Sequence, residues 1–169
     1  MNIKVAFVLL TVLKISFLSA DYVEDNTPCE ILLDHNICYW TEVHDEWDMT
    51  YADAKETCER RGSGLAVIRS GEDYDAIAKN LRSKIVPDWK NNVYAWIGNE
   101  FDPTTSEITP ADSFIKWYPV KEPRMESESW DNRYLHLYVN RDPTSIYQGM
   151  GNIYREFVWP GVVCQYVNQ

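Results

Sequence analysis

Thr50-Tyr-Ala-Asp-Ala-Lys-Glu-Thr-Cys-Glu-Arg-Arg-Gly-Ser-Gly-Leu-Ala-Val-Ile68 changes its periodicity partway along, and the change predicts a helix followed by a strand. Thr50 with Asp53 three residues on is a capping box, in which each side chain answers the other's backbone N–H. Trp47, Tyr51, Ala54 and Cys58 recur at steps of four, three and four, so they share one helical face, and that face carries Cys58 to the core side. Gly62 is a natural helix stop, since glycine adopts the left-handed conformation at no steric cost. Beyond it, Gly64-Leu-Ala-Val-Ile68 reads as a brief apolar strand.

Working outward, Ser70 with Asp73 opens a second helix whose Tyr74, Ile77, Ala78, Leu81 and Ile85 share one side, and Pro87 ends it. Tyr94-Ala-Trp-Ile-Gly98 reads as a buried strand, followed by loop chemistry from Asn99 to Asp112. Phe114-Ile-Lys-Trp117 predicts a short strand. Tyr118 to Asn132 is polar, acidic and too long for a tight turn, and loops of that size are often functional. In Tyr134-Leu-His-Leu-Tyr-Val139, Leu135, Leu137 and Val139 alternate with Tyr134, His136 and Tyr138, which predicts a two-faced strand with a hydrogen-bonded structural histidine on its less apolar side. A turn at Asp142-Pro143, a weak strand around Ile146 and a terminal strand from Phe157 to Val167, broken at Pro160-Gly161, complete the list. Upstream, Cys29 to Cys38 forms a small hairpin about Asp34-His-Asn36. The sum is one α+β domain.

At 169 residues and 45% apolar side chains, the chain can bury a core. Its net charge of −10 argues against nucleic acid, because like charges repel a phosphate backbone. Residues 1–20 combine a short basic start, an apolar stretch and a small-residue exit at Ala20, the pattern of a cleaved secretory signal. Lys14 interrupts the stretch before it reaches membrane-spanning length, so no membrane insertion is expected. Residues 21–28 are then a short polar segment, and 29–169 the domain. Cys29, Cys38, Cys58 and Cys164 all follow the signal, and an even count in an exported chain predicts disulfides, with three pairings open. No Cys-x-x-Cys pair or His spacing supports zinc. No Asn-x-Ser/Thr sequon occurs.

The order of Cys38-Tyr39, a helix ending in Cys58, Gly64 to Ile68, Trp96-Ile-Gly98, Phe114-x-x-Trp117, Glu122-Pro-Arg124 and a last-strand Cys164 resembles the C-type lectin-like domain, in its long form, across essentially the whole exported chain. The ending from Trp159 to Tyr166 resembles secreted nematode members. The resemblance implies that Cys58 pairs with Cys164 and Cys29 with Cys38. It also implies a further disulfide beneath the ligand loop, but Tyr134 and Glu156 stand near those places, so that loop is expected to be looser or held by packing.

The resemblance implies a calcium cage too, built from a Glu-Pro-Asn loop and a Trp-Asn-Asp strand, because a hard cation wants six to eight oxygens. Here the triplets read Glu122-Pro123-Arg124 and Gly151-Asn152-Ile153. Glu122 and Asn152 offer oxygens, Ile153 offers none, and Arg124 brings a fixed positive charge. Two like charges at ~4 Å cost roughly 4 kcal/mol at an effective dielectric of 20, and a divalent ion doubles that. No calcium is therefore expected at this position, calcium elsewhere in the acidic loop stays open, and no metal or cofactor is assigned. An alternative reading keeps a calcium-dependent carbohydrate-binding lectin.

Candidate ligand-binding residues are Glu122, Arg124, Trp130, Asp131, Asn132 and Asn152, with Arg124 pairing to Glu122 in place of the ion and Glu126, Glu128 and Asp131 forming an acidic rim. Tyr118, Trp89 and Trp130 lie in or near loops, where they could meet a sugar face or a protein partner, while Trp96, Trp117 and Trp159 belong to the core. No pattern of nucleophile, base and orienting group predicts an enzyme. The expected product is a secreted binding module for an extracellular protein or glycan, with its oligomeric state left open.

Overall fold

The computed structural model describes residues 29–33, 36–85, 91–120, 122–125 and 131–167. The signal segment and residues 21–28, as well as Pro87, Trp89, Glu126, Glu128 and Trp130, therefore lie outside the described residues.

Ten elements follow in order: β1 (Ile31–Leu32), β2 (Ile37–Val43), α1 (Tyr51–Glu59), β3 (Gly64–Leu65), α2 (Gly71–Ser83), β4 (Asn92–Phe101), β5 (Ile108–Thr109), β6 (Tyr134–Asn140), β7 (Gly149–Ile153) and β8 (Gly161–Val167). The sheet order is β1-β2-β8-β4-β6-β7, with β3 on β8 and β5 on β4. All pairs are antiparallel except β4 with β8. The two helices and this mixed sheet make the α+β class predicted above.

Both capping boxes form: Thr50 with Asp53 on α1, and Ser70 with Asp73 on α2. Gly62 takes the left-handed conformation at φ +69° past the end of α1. Because strand side chains alternate, one sheet serves two cores. Tyr39, Ala95, Leu137 and Val163 point toward α2, where they meet Ile77 and Leu81. Trp40, Trp96 and Val162 face α1 and meet Ala54, Cys58 and Trp159. Cys58 and Cys164 are bonded across this second core, and Cys29 and Cys38 are bonded in the hairpin. The first link spans 106 positions and stabilises by about 4 to 5 kcal/mol in the loop-entropy account.

Several expected elements change. Trp47 precedes α1 instead of lying on its face; it stays 48% exposed and meets the rings of Tyr94 and Trp159 edge-on. The strand at 64–68 shortens to β3, because side chains take over the backbone after Ala66. Gln165 Oε1 accepts from the Val67 N–H at 2.9 Å, and Asn99 Oδ1 from that of Ile68 at 2.9 Å. Phe114–Trp117 is no strand; Trp117 contributes a single bridge to Met150. Ile146 is 71% exposed, since the Asp142 side chain captures Thr144 and prolongs the turn. The strand instead is β7, whose two glycines weaken its sequence signal but whose five residues are all buried. α2 stops at Ser83, ahead of Pro87, with Ile85 buried just beyond it.

Candidate functional site

β6 and β7 form the floor of the site. Tyr134 to Tyr138 pair with Ile153 to Gly149, which puts His136 opposite Gly151 and Leu135 opposite Asn152. Against this floor packs the segment 122–125, which enters through a cis Glu122–Pro123 bond.

Asn152 is fully buried, and its side chain fastens that segment. Its Oδ1 accepts from the Arg124 N–H at 2.7 Å, while its Nδ2 donates to the carbonyl oxygens of Arg124 and Asn132, both at 2.7 Å. The Arg124 side chain turns back, and its Nε donates to Glu122 Oε1 at 3.1 Å. Glu122 Oε2 accepts from the Asn152 N–H at 3.4 Å. Only 5% of the Glu122 side chain is exposed, against 46% of Arg124. Burial raises the Glu122 pKa, with the Arg124 charge and the Asn152 N–H partly opposing it.

The expected residues thus meet in part. Glu122, Arg124, Asn132 and Asn152 converge; Asn132 is buried and its carbonyl is used, whereas Asp131 is exposed and its Oδ1 accepts from Arg133 Nε at 3.3 Å. Trp130 lies outside the described residues.

A calcium ion does not fit this donor set. The Glu122 carboxylate holds a guanidinium, both ends of the Asn152 amide are committed to backbone, and Ile153 is buried hydrocarbon at 3% exposure. Among the described residues, no three His, Cys, Asp or Glu side chains gather as metal ligands.

Beside the Glu122–Arg124 pair opens a cleft of about 300 Å³, walled by Tyr94, Tyr118, Tyr138, His136 and Trp159. Gly151 makes it possible. A Cβ there would stand 2.8 Å from His136 Cε1 and 3.2 Å from the Glu122 carboxyl carbon. Tyr94 and Trp159 stack at 4.1 Å, and His136 sits 4.7 Å from Trp159. The hydrogen bond expected of His136 is missing at one ring nitrogen: its buried Nδ1 has no partner among the described residues, and neither does Trp159 Nε1. Burial, aided by the charge of Arg124, pushes the His136 pKa down to about 3, so the ring is neutral. The sequence carried part of this cleft in the Tyr134, His136, Tyr138 alternation. It gave no sign that Tyr94 and Trp159, read as strand residues, join them.

A sequence profile of the lectin C-type domain matches residues 48–156. No curated protein sequence matches the chain. Among solved structures, a calcium-dependent type II antifreeze protein in its calcium-free form aligns with a TM-score of 0.59 at 16% identity, covering 80% of this chain and 95% of that one. Human lithostathine aligns at 0.56 and 16% identity, covering 81% and 88%. The C-type lectin domain of murine dendritic cell inhibitory receptor 2, in complex with an N-glycan, aligns at 0.55 and 21% identity, covering 78% and 91%. At these identities the structural likeness speaks for the fold. Together with the profile match, which takes in α1 through β7, it leads to one conclusion: the chain belongs to the lectin C-type domain family.

Proposed function

We propose that the protein is a secreted, calcium-independent binding module that recognises an extracellular protein or glycan through its long-loop surface, from Tyr118 to Asn132. One observation carries this reading: the Arg124 guanidinium lies on Glu122 where a cation would need that carboxylate, while Asn152 is spent on the backbone. The exported state is supported by the residue 1–20 pattern and by the two disulfides, which persist in oxidising compartments. Binding rather than catalysis fits cysteines that are all oxidised and so offer no thiolate.

A protein partner ranks ahead of a glycan because the described loop surface exposes apolar groups, with Val120 at 43% and Met125 at 51%. The second reading, a calcium-dependent lectin, draws on neighbours such as the glycan-bound murine receptor. Calorimetric titration of calcium into the purified protein separates the two, together with glycan-array binding with and without chelator. No calcium heat and chelator-insensitive binding are expected. Stoichiometric calcium uptake or chelator-sensitive sugar binding overturns the proposal.

A further inference from the structure

On the opposite side of the sheet from the aromatic cleft, α2 and the segments carrying Lys116 and Pro143 enclose a pocket of about 490 Å³. We infer that this pocket binds an oxyanion of the sulfate or phosphate class, free or as a small ester, between Lys79, Arg82 and Lys116. The inference is independent of the loop surface proposed above.

The first support is a contrast in charge pairing. In this acidic chain a cation usually sits on a carboxylate, as Lys55, Arg61, Arg69, Lys84, Arg133 and Arg155 do. Lys79, Arg82 and Lys116 form no such pair among the described residues, yet all three line the same pocket. Their like charges repel unless an anion joins them.

The second support is preorganisation. Arg82 is pinned by neutral acceptors: its Nε donates to the Asn140 carbonyl at 2.8 Å, and its Nη2 to Gln148 Oε1 at 3.0 Å. Gln148 is fixed in turn by donating to the Pro143 carbonyl at 2.9 Å. A guanidinium held this way keeps its full charge and a defined direction, which suits planar recognition of an oxyanion. Lys116 Nζ lies 4.7 Å from the centre of the Tyr74 ring, a cation–π contact that holds it at the pocket without neutralising it.

The third support is an orphaned donor. Tyr74 is 2% exposed and lines the pocket, but its hydroxyl has no hydrogen-bond partner among the described residues. A buried hydroxyl without a partner costs free energy that an acceptor in the pocket would recover. Two carboxylates oppose the anion: Asp75 in the lining, and Asp142, whose charge interacts with Arg82. The volume exceeds what a bare ion needs, so an ester with a small organic group fits.

The test is calorimetric titration of the purified protein with sodium phosphate, sodium sulfate and galactose 6-sulfate. Saturable binding with a dissociation constant of about 1 mM or below, weakening as salt rises, is expected for at least one. Preference for galactose 6-sulfate over both free ions identifies an ester as the source, and the reverse identifies a free ion. Lys79→Gln with Lys116→Gln should weaken binding by about tenfold or more, while Lys55→Gln leaves it unchanged. Tyr74→Phe keeps the ring under Lys116, so it should fold as well as the parent yet bind less tightly. Asp75→Asn should bind more tightly, a gain that no folding defect can mimic. Absence of saturable heat for all three probes, or undiminished affinity in the double lysine variant, overturns the inference.

Discussion

Asn152 and Arg124 are joined at two points, the Arg124 N–H donating to Asn152 Oδ1 and Asn152 Nδ2 donating to the Arg124 carbonyl, each at 2.7 Å. One side chain thereby plays the part of a neighbouring strand for a segment that belongs to no sheet. Asn152→Ala leaves an N–H and two carbonyls without their partner, and is expected to cost about 2 to 4 kcal/mol, read from urea unfolding. Asn152→Asp should cost at least as much, because a carboxylate cannot donate to either carbonyl. A loss below about 0.5 kcal/mol for both variants would show that the segment is held elsewhere.

Gly151 is dictated by its neighbours. Gly151→Ala drives a methyl to 2.8 Å from His136 Cε1 and 3.0 Å from its Nε2, so a loss of about 1 to 3 kcal/mol is expected. Pairing it with His136→Ala should return part of that loss. Strict additivity in a double-mutant cycle, measured by thermal or denaturant unfolding, would count against the contact.

The two disulfides should contribute unequally. In the loop-entropy account, the link spanning 106 positions is worth about 4 to 5 kcal/mol and the one spanning 9 about 2 to 3. Cys58→Ser with Cys164→Ser should therefore lower the unfolding midpoint well beyond Cys29→Ser with Cys38→Ser. Equal midpoints would contradict this ranking.

How much of this was legible in the sequence depended on whether a local signal existed. The capping boxes at Thr50 and Ser70, the stop at Gly62 and the alternation from Tyr134 to Val139 are written in neighbouring residues, and each appears where it was read. β7 was displaced to Ile146 because Gly149 and Gly151 carry no strand preference; their burial is set by Tyr118 and His136, distant in sequence. The same holds at the site. Glu122, Arg124 and Asn152 could be singled out by motif, but the use of Asn152 as a backbone fastener could not, nor could the meeting of Tyr94 and Trp159 in a stack.

Two histidines should shape stability against pH in opposite senses. His136 is neutral in the fold, with its pKa near 3, while an unfolded chain takes up that proton near 6.5. Acidification from about 6.5 toward 3 therefore favours unfolding. Burial also opposes charge on His44, but its hydrogen bonds to Asp48 and Glu42 prevail and raise its pKa. The stability His44 supplies is complete below about 6.5 and is lost as pH rises through its raised value. His136→Gln should flatten the acid limb above about pH 4.5, the range before carboxylates held low in the fold, such as Glu30, begin to contribute. His44→Gln should flatten the alkaline limb. Urea midpoints across pH 4 to 9 check both, and unchanged slopes would exclude these assignments.

The pairing of the first long strand with the last has a mechanical consequence. Tension applied at the two chain ends passes through the Cys29–Cys38 bond directly into β2, so the small hairpin before it bears no load. The peel between β2 and β8 then opens Cys38 from Tyr166 and Tyr39 from Gln165, and reaches Cys164 opposite Trp40. The covalent load path then runs along the chain from Cys38 to Cys58 and crosses to Cys164 through their bond, so residues 59–163, the aromatic cleft included, are shielded from the pulling force.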